Sequence, residues 1–465
     1  MDPRAQFLDQ AVAVVGSAQV LTDPASLDAT SHDTWPLTTK WAAVGRHPHR
    51  AEAVIRVATE EQIATLVRAA SAARVPVTVR ALGSSVTGQP IPLQGGVVLD
   101  VAGLEAWHRV DETNLVVAAS ASCNGGELED QLNERGFTLG HSPQSLYRSS
   151  VGGWLATLAT GQFSSLYGGI EDLVVGYTVV LATGESIEVA ASPRAAMGPD
   201  LRRIFIGAEG TLGVITAVRL KIFPIADTEL LTSYTMPTVA AGLAFMRELY
   251  TTGLRPFLLR FYDTDEARHA MVDPDFDSPV IFFGSRGRTR MVEAEFAELE
   301  SMAQAHGGHA LGPDPAAAWM ARRFDFSSVE NRLAEPGGYA ETIEVAHLWS
   351  GIEPFWAELK EALAPLADEV LAHFSHVYAQ GTSMYVILFG RAADDAAAIQ
   401  RLERIWATAM QISLKHGAEL SHHHGGGLAR SPYAEASLGS AHLVLRKVKQ
   451  ALDPAGILNP GKLGL

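Results

Sequence analysis

Cysteine is nearly absent from this chain of 465 residues, which contains only Cys123. A single cysteine forms no intrachain disulfide and builds no cysteine-ligated zinc or iron–sulfur site. We interpret Cys123 as a small core residue rather than a reactive thiol.

Clusters of basic residues are absent as well. The chain has 36 Lys and Arg against 52 Asp and Glu, which gives a formal net charge of −16 at pH 7. No run of Lys or Arg is present that would follow a phosphate backbone. We therefore expect no nucleic-acid partner.

Long apolar runs are the third absence. The N-terminal residues Met1–Ala5 lack the basic and apolar regions of a signal peptide. No later apolar run approaches the roughly 20 residues that span a bilayer. We expect a protein without a membrane span that works in the cytoplasm.

What is present is enough apolar sequence for two packed cores, since 47% of the 465 residues are hydrophobic. In the first half, Thr59–Gln62 reads as a capping box that begins a helix, and β-branched segments follow at Val75–Arg80 and Gly95–Asp100. From about Thr228 helices alternate with strands, which predicts an antiparallel sheet with helices on one face. We predict an α+β fold with domains at 1–225 and 226–425, and a C-terminal segment at 426–465 that returns to the first domain.

Three loops rich in Gly, Ser and Thr interrupt the first domain. They lie at Gly83–Gly88, at 143–169 and at 207–215. Glycine permits the positive φ and the close approach with which backbone N–H groups surround an anion. One such loop alone is typical of an ordinary turn, but three in one domain suit a long, flat cofactor that carries a diphosphate.

A second cluster combines three consecutive histidines, His422–His424, with the glycines that follow, and with Tyr385 and His376 on the preceding strands. Neutral imidazole accepts or donates a proton near physiological pH. A surface metal-binding accident and an expression tag are the alternatives. Because the run is short and internal, we favour a catalytic role.

Several phrases of the sequence resemble one family of flavoproteins. They include Gly140–Ser145, Ser150–Trp154, Ile170–Val175, Gly207–Thr216 and the Ser-His-His-His-Gly run that begins at Ser421. Together they resemble alkyldihydroxyacetonephosphate synthase-like flavoproteins of the vanillyl-alcohol oxidase superfamily, over nearly the whole chain. The resemblance implies a two-domain FAD-binding fold of the p-cresol methylhydroxylase (PCMH) type, with a cap domain of antiparallel sheet and helices.

The resemblance also implies which residues bind FAD. The pyrophosphate would lie on Gly83, Ser84, Ser85, Thr87 and Gly88. The ribityl chain and flavin would contact Pro143, Ser145, Ser149, Val151, Gly152 and Gly153. The adenine and ribityl side would be completed by Glu209, Gly213, Val214 and Ile215. Relatives that attach FAD covalently often use a histidine in the first glycine loop, and since this loop has none, non-covalent binding is implied.

In the cap the resemblance implies Tyr385 and the histidines His422, His423 and His424 as catalytic residues, with Arg260 as the substrate-binding arginine. For His141, a hydrogen bond close to the flavin or substrate and an ordinary loop position stay open. Related hydroxyacid dehydrogenases bind a divalent metal through histidine and glutamate ligands. In this chain Tyr385 stands in the place of the second histidine ligand and His423 in the place of the glutamate. We therefore expect no metal site.

We expect an FAD-dependent oxidoreductase, an oxidase or dehydrogenase, that passes hydride from a small organic alcohol or hydroxy acid to flavin N5 with proton transfer by Tyr and His. The C-terminal run Leu458–Lys462 resembles the hydroxyacid dehydrogenases and favours this interpretation. One alternative is synthase-like ether-lipid formation through a flavin N5 adduct without net redox change. A non-catalytic flavin-binding protein is a remote alternative. The partner is a small-molecule substrate, and the sequence leaves a homodimer open.

Overall fold

The computed structural model describes residues 3–465, so Met1 and Asp2, where the N-terminal segment begins, lie outside the described residues. Within residues 3–465 the strands form sheets of four, five, two and seven strands. The helices of eight or more residues in this part of the chain are Pro3–Val15, Pro36–Ala43, Glu60–Ala73, Gly125–Asn133, Val239–Thr251, Thr264–Met271, Thr289–Ala305, Asp314–Arg322, Ser327–Ala334, Trp349–Leu363, Asp395–His416 and His442–Leu452. No helix of the described chain is long and apolar enough to cross a bilayer.

The first sheet carries the first glycine loop at its edge. Its strands, in spatial order, are Val20–Leu21, Ala53–Arg56, Val97–Asp100 and Val77–Arg80. The helix Glu60–Ala73 connects two parallel strands and begins at Thr59, whose side chain accepts a hydrogen bond from the Gln62 N–H at 3.2 Å. The predicted start of this helix is therefore confirmed, but the capping box is incomplete, because Gln62 Oε1 accepts from the Ala58 N–H at 2.8 Å and not from that of Thr59. The loop at 83–88 follows the carboxyl end of the strand Val77–Arg80.

The second sheet is antiparallel and supports the other two loops. Its strands, in spatial order, are His108–Asp111, Val116–Ser120, Val214–Lys221, Val174–Val180 and Ser186–Val189. The helices Gly125–Asn133 and Val151–Thr157 pack on it around a core that includes the buried Trp154. A small ribbon of Phe137–Thr138 and Phe223–Pro224 lies beside it.

The seven-stranded sheet of the second half is antiparallel, as the sequence predicted. Its strands, in spatial order, are His309–Gly312, Thr228–Thr235, Val280–Gly287, Leu258–Tyr262, Glu369–Val377, Gly381–Arg391 and Gly338–Leu348. The long helices cover one face of this sheet in the largest apolar core of the described chain. The other face contacts Phe163 of the first half and the helix Asp314–Arg322.

The last residues contact the first sheet. The Val77 N–H donates to the Ile457 carbonyl at 2.8 Å, and the Asn459 N–H donates back to Val77 at 2.8 Å. The Asn459 side chain donates to the carbonyls of Gln89 and Glu209. The C-terminal segment thus connects the first glycine loop with the third. The exact domain boundaries stay a prediction.

Candidate active site

Neighbouring strands of the seven-stranded sheet carry polar side chains on the face opposite its long helices. His373, Tyr385 and Glu344 are direct partners in the strand register. Their immediate neighbours along each strand belong to the apolar core under the helices. Because strand side chains alternate between faces, these three share the other face. Arg260 lies on the adjacent strand and donates from Nη2 to His373 Nε2 at 2.8 Å.

The carboxylate of Glu344 holds the histidine triplet in place. Its oxygens accept the backbone N–H groups of His422 at 2.7 Å, His423 at 2.9 Å and His424 at 3.3 Å. Burial raises the pKa of Glu344, but the neighbouring His423, which also hydrogen-bonds to the carboxylate, and the charge of Arg430 outweigh burial and hold the pKa well below its ordinary value. An ionised acceptor with several N–H donors fixes the backbone of this loop.

A continuous chain of hydrogen bonds runs from Tyr385 through two histidines. Tyr385 Oη lies 2.5 Å from His423 Nε2, and His423 Nδ1 lies 2.8 Å from His422 Nδ1. His422 Nε2 in turn lies 2.6 Å from Tyr378 Oη. Burial and the charge of Glu344 raise the pKa of Tyr385 well above its ordinary value. Burial and the charge of His423 lower the pKa of His422 to about 3.

Two further histidines border this chain. His376 stacks on His422 with ring centroids 5.1 Å apart, and its Nδ1 lies 2.8 Å from Ser164 Oγ. The φ of His376 is +55°, an uncommon value for a residue with a side chain. His424 meets the ring of Tyr385 edge-on at 5.5 Å, and its buried Nδ1 has no hydrogen-bond partner among residues 3–465. Burial lowers the pKa of His424 to about 3, so this imidazole is neutral.

Arg260 is oriented by a buried network. Its Nε donates to Tyr262 Oη at 2.9 Å, and its guanidinium lies 4.8 Å from the ring centroid of Trp319. His373, which accepts from Nη2, lies 2.7 Å from Glu266 through Nδ1. Burial raises the pKa of Glu266 to about 8. The Nη1 nitrogen of Arg260 makes no hydrogen bond within the described residues, so one edge of the guanidinium remains available.

His141 lies on the wall of a cavity of about 180 Å³ between the two halves of the chain. Its ring packs edge-on against Trp154 at 4.5 Å. Neither ring nitrogen has a hydrogen-bond partner in the described part of the chain, although the residue is only 1% exposed. Burial, and to a lesser degree the charge of His423, lowers the pKa of His141 to about 3. The structure thus places a neutral, unpaired imidazole next to the cavity.

The first glycine loop presents unpaired backbone donors. The N–H groups of residues 83–87 make no hydrogen bond to any described residue, and the next one, of Gly88, donates to Asp33 Oδ2 at 2.8 Å. Gly83 has φ +68°, and a Cβ atom there would lie 2.3 Å from Arg80 Nη2. Five consecutive free N–H groups above an arginine fit a bound diphosphate.

The other predicted cofactor residues lie in or beside the second and third loops. The second loop contains Pro143, Ser145 and Ser149, and the helix Val151–Thr157 that follows contributes Val151, Gly152 and Gly153. The third contains Glu209 and Gly213, and Val214 and Ile215 begin the strand Val214–Lys221. Ser149 Oγ accepts from Trp154 Nε1 at 2.8 Å. Glu209 is 4% exposed, and its carboxylate accepts the N–H groups of Gly426 at 2.5 Å and Gly427 at 2.9 Å.

The structure brings the first loop, the third loop and the histidine triplet together. The carbonyl of His424 accepts from Thr87 Oγ1 at 3.1 Å and from Gln89 Nε2 at 2.6 Å. Glu209 joins the same place through the glycines that follow the triplet. The catalytic candidates of the cap therefore lie directly beside the proposed cofactor loops.

Three side chains at the same place could in principle share a cation. In the described chain, the His, Cys, Asp and Glu side chains close enough to share a metal ion are Glu344, His422 and His423, with ligand atoms within 4.8 Å of one another. The carboxylate already accepts three N–H groups, and the two Nδ1 atoms face each other at hydrogen-bonding distance. This arrangement favours a hydrogen-bonded chain over a metal centre.

Sequence reasoning missed several residues of the site, namely Arg80, Glu266, Glu344, His373, Tyr378 and Arg430. Two signals were available. Glu344 is a carboxylate within an apolar strand, which predicts a buried acceptor. Arg80 ends the strand that leads into the first glycine loop. The others are recognised only from contacts between distant segments.

Comparison with known proteins agrees with this architecture. The family described as FAD binding domain matches residues 51–190, and the family described as FAD linked oxidases, C-terminal domain, matches residues 229–463. The chain is 30% identical to the uncharacterised FAD-linked oxidoreductase YgcU of Escherichia coli strain K12, over 99% of this chain and 98% of that protein. It is 25% identical to alkyldihydroxyacetonephosphate synthase of Dictyostelium discoideum, over 90% of this chain and 74% of the synthase.

Among solved structures, p-cresol methylhydroxylase with substrate bound superposes with a TM-score of 0.82 at 16% identity, over 100% of this chain and 97% of that one. The fold is thus that of a two-domain flavoenzyme. The chain belongs to the FAD-linked oxidase family, whose FAD binding and C-terminal domains it contains. The predicted α+β fold of the PCMH type, the FAD cofactor and the enzyme class are confirmed.

Proposed function

We propose that this FAD-linked enzyme oxidises a small organic alcohol or hydroxy acid between the cap face and the glycine loops. The observation that carries the proposal is the hydrogen bond of 2.5 Å between Tyr385 Oη and His423 Nε2, on the same sheet face as Arg260. A phenol that donates a hydrogen bond to an imidazole can take up a proton from the substrate while it transfers its own proton to that imidazole.

For FAD we propose the set of residues that the sequence indicated. The pyrophosphate lies on Gly83, Ser84, Ser85, Thr87 and Gly88. The ribityl chain and flavin contact Pro143, Ser145, Ser149, Val151, Gly152 and Gly153, and the third loop adds Glu209, Gly213, Val214 and Ile215. The unpaired N–H groups of residues 83–87 support this assignment. Because the Glu209 carboxylate is occupied by Gly426 and Gly427, its part is to hold the loops together.

FAD, when bound, supplies the acceptor for a hydride from the substrate. Tyr385 takes the hydroxyl proton of the substrate as its own proton moves to His423. Arg260 binds a substrate carboxylate through its available Nη1 edge, since a guanidinium pairs well with carboxylates. The unpaired nitrogens of His141 and His424 offer further hydrogen bonds to the substrate. Because both imidazoles are neutral, each can donate one hydrogen bond and accept another.

A second candidate is group transfer without net redox change. The name of the Dictyostelium discoideum relative describes such a synthase, and the match covers 90% of this chain. The same Tyr385, His423 and Arg260 would serve either reaction. The two candidates therefore differ in the substrate and not in the protein groups.

One experiment separates them. The purified holoenzyme is mixed anaerobically with a panel of D-2-hydroxy acids and aromatic alcohols, and separately with palmitoyl-dihydroxyacetone phosphate, while the flavin absorbance is recorded. We expect bleaching with a member of the first panel. In Tyr385→Phe the bleaching rate falls by about 10²–10⁴-fold, the usual contribution of general acid–base catalysis. Tyr234→Phe, which loses a hydroxyl bonded to Glu300 at 3.2 Å, is the matched control.

Bleaching with the acyl substrate alone, together with fatty-acid release and no reduced product, would establish the transferase instead. An unchanged rate in Tyr385→Phe would remove the role proposed for the phenol.

A further inference from the structure

The hydrogen-bonded chain that begins at Tyr385 does not end inside the site. Tyr385 and Tyr378 are both half-buried, but Tyr378, at the far end, is followed directly by the exposed Ala379 and Gln380. Three consecutive contacts of 2.5, 2.8 and 2.6 Å join the two phenols through His423 and His422. All three lie within hydrogen-bonding distance.

Each of the four side chains in this hydrogen-bonded series has one donor and one acceptor available. If Tyr385 donates to His423 Nε2, then His423 Nδ1–H donates to His422 Nδ1, and His422 Nε2–H donates to Tyr378 Oη. This order uses each imidazole as a neutral tautomer with one N–H. The backbone N–H groups of both histidines are bound to Glu344, whose Oε1 also lies 3.3 Å from His423 Nδ1, so this carboxylate fixes the position of both rings.

We propose that Tyr385, His423, His422 and Tyr378 form a relay that carries the substrate's hydroxyl proton from the site to solvent beside Ala379 and Gln380. The inference rests on the proposed function. The substrate O–H bond breaks and a new O–H bond forms at Tyr385. The phenol proton moves to His423 Nε2, the Nδ1 proton moves to His422 Nδ1, and the Nε2 proton moves to Tyr378. Tyr378 releases its own proton to water, and FAD, when bound, would accept the hydride from the carbon that bears the hydroxyl group.

The surroundings keep Tyr378 and His422 uncharged between turnovers. Burial and then the charges of Glu171 and Asp172 raise the pKa of Tyr378, so its phenol remains protonated. Burial lowers the pKa of His422 to about 3, which leaves that imidazole neutral. His373 and His424 face Tyr385, His376 faces both ring histidines, and Glu344 with Arg430 lies beneath them. A concerted shift along neutral groups avoids a long-lived buried charge.

Glu171 is a further group close enough to Tyr378 for its charge to act on that phenol. Its Oε2 atom is buried and has no hydrogen-bond partner within residues 3–465. Burial, more than any other factor, raises its pKa. A carboxylate held in this way near Tyr378 is a suitable acceptor for the outgoing proton, before bulk water takes it.

The relay is tested with Tyr378→Phe, which keeps the ring and removes the outer hydroxyl. The holoenzyme is mixed anaerobically with the member of the hydroxy-acid and alcohol panel that bleaches the wild type, in H₂O and in D₂O. We expect the bleaching rate to fall by about tenfold or more, with unchanged substrate affinity and a larger solvent isotope effect. Added imidazole restores the rate in Tyr378→Phe but not in Tyr385→Phe. Tyr234→Phe behaves as the wild type.

A second readout needs no turnover. In ¹⁵N-histidine-labelled protein, His422 and His423 give hydrogen-bonded, neutral imidazole signals, and Tyr378→Phe changes those of His422 while Tyr234→Phe does not. An unchanged rate, isotope effect and spectrum in Tyr378→Phe overturn the relay while the oxidoreductase proposal stands. Wild-type protein that no member of the panel bleaches contradicts the proposed function instead, and the spectra alone then decide whether the connected chain exists.

Discussion

Two runs of consecutive backbone N–H groups lie close together in this protein and are satisfied in opposite ways. Those of His422–His424 all bind the internal carboxylate of Glu344. Those of residues 83–87 bind no described residue. The first run surrounds an anion that the chain itself supplies, and the second is open to an anion from outside. The cap site is therefore preorganised by the chain, whereas the glycine loop is completed by its ligand.

Comparison of Glu344 with Glu341 shows why the pKa of Glu344 is low despite its burial. Glu341, on the same strand, is also buried, but its donors are the Trp35 and Trp406 indoles at 3.2 and 2.7 Å and the Thr342 N–H at 2.9 Å. Burial raises the pKa of Glu341 to about 7, whereas that of Glu344 lies well below its ordinary value. Equal burial thus goes with opposite pKa shifts, because Glu344, unlike Glu341, has His423 Nδ1 at 3.3 Å and Arg430 Nη2 at 3.5 Å from its oxygens.

The largest effect is expected from removal of the internal anion. In Glu344→Ala three N–H groups and Arg430 lose their partner, and the free energy of unfolding falls by about 3–5 kcal/mol, as when one partner of a buried ion pair is removed. Urea unfolding followed by tryptophan fluorescence measures the change. Glu344→Gln keeps an acceptor and is expected to lose less. A fall below about 1 kcal/mol in Glu344→Ala would mean that the triplet is held by other contacts.

A smaller effect on stability is expected at Glu341, whose pKa is shifted in the opposite direction to that of Glu344. The folded protein binds a proton at this carboxyl between the unfolded pKa of 4.5 and about 7, so stability falls as pH rises through this range and is constant above it. The loss amounts to about 3 kcal/mol at most. Glu341→Gln keeps acceptors for the indoles and removes this pH dependence. Urea unfolding at about pH 5 and about pH 8 compares the two proteins; parallel pH profiles would contradict the raised pKa.

The fold and much of the site could be predicted because local patterns encode them. The helix that begins at Thr59 and the antiparallel sheet of the second half follow from patterns of nearby residues, and both are present in the structure. The short edge strand His309–Gly312 was missed because it is exposed and has no apolar alternation.

The contacts of the site were harder to predict. Tyr378 and His422 lie 44 residues apart in sequence, and Trp35 and Glu341 lie 306 apart. Which donor meets which acceptor depends on strand register and on the path of the C-terminal segment, and periodicity encodes neither. Residue types therefore indicated Tyr385 and the histidines, whereas the Glu344 anchor and the outward direction of the chain required the three-dimensional structure.

The smallest effect is expected in the open loop. Gly83→Ala introduces a side chain at φ +68° and a Cβ atom 2.3 Å from Arg80 Nη2. Strain of about 1–3 kcal/mol then weakens FAD binding by roughly tenfold to a hundredfold. FAD titration by fluorescence quenching measures the affinity. Amide hydrogen exchange compares the two runs of N–H groups directly. FAD is expected to slow exchange at residues 83–87 and to leave exchange at His422–His424 unchanged. Equal protection of both runs without FAD would contradict the view that only one of them depends on the ligand.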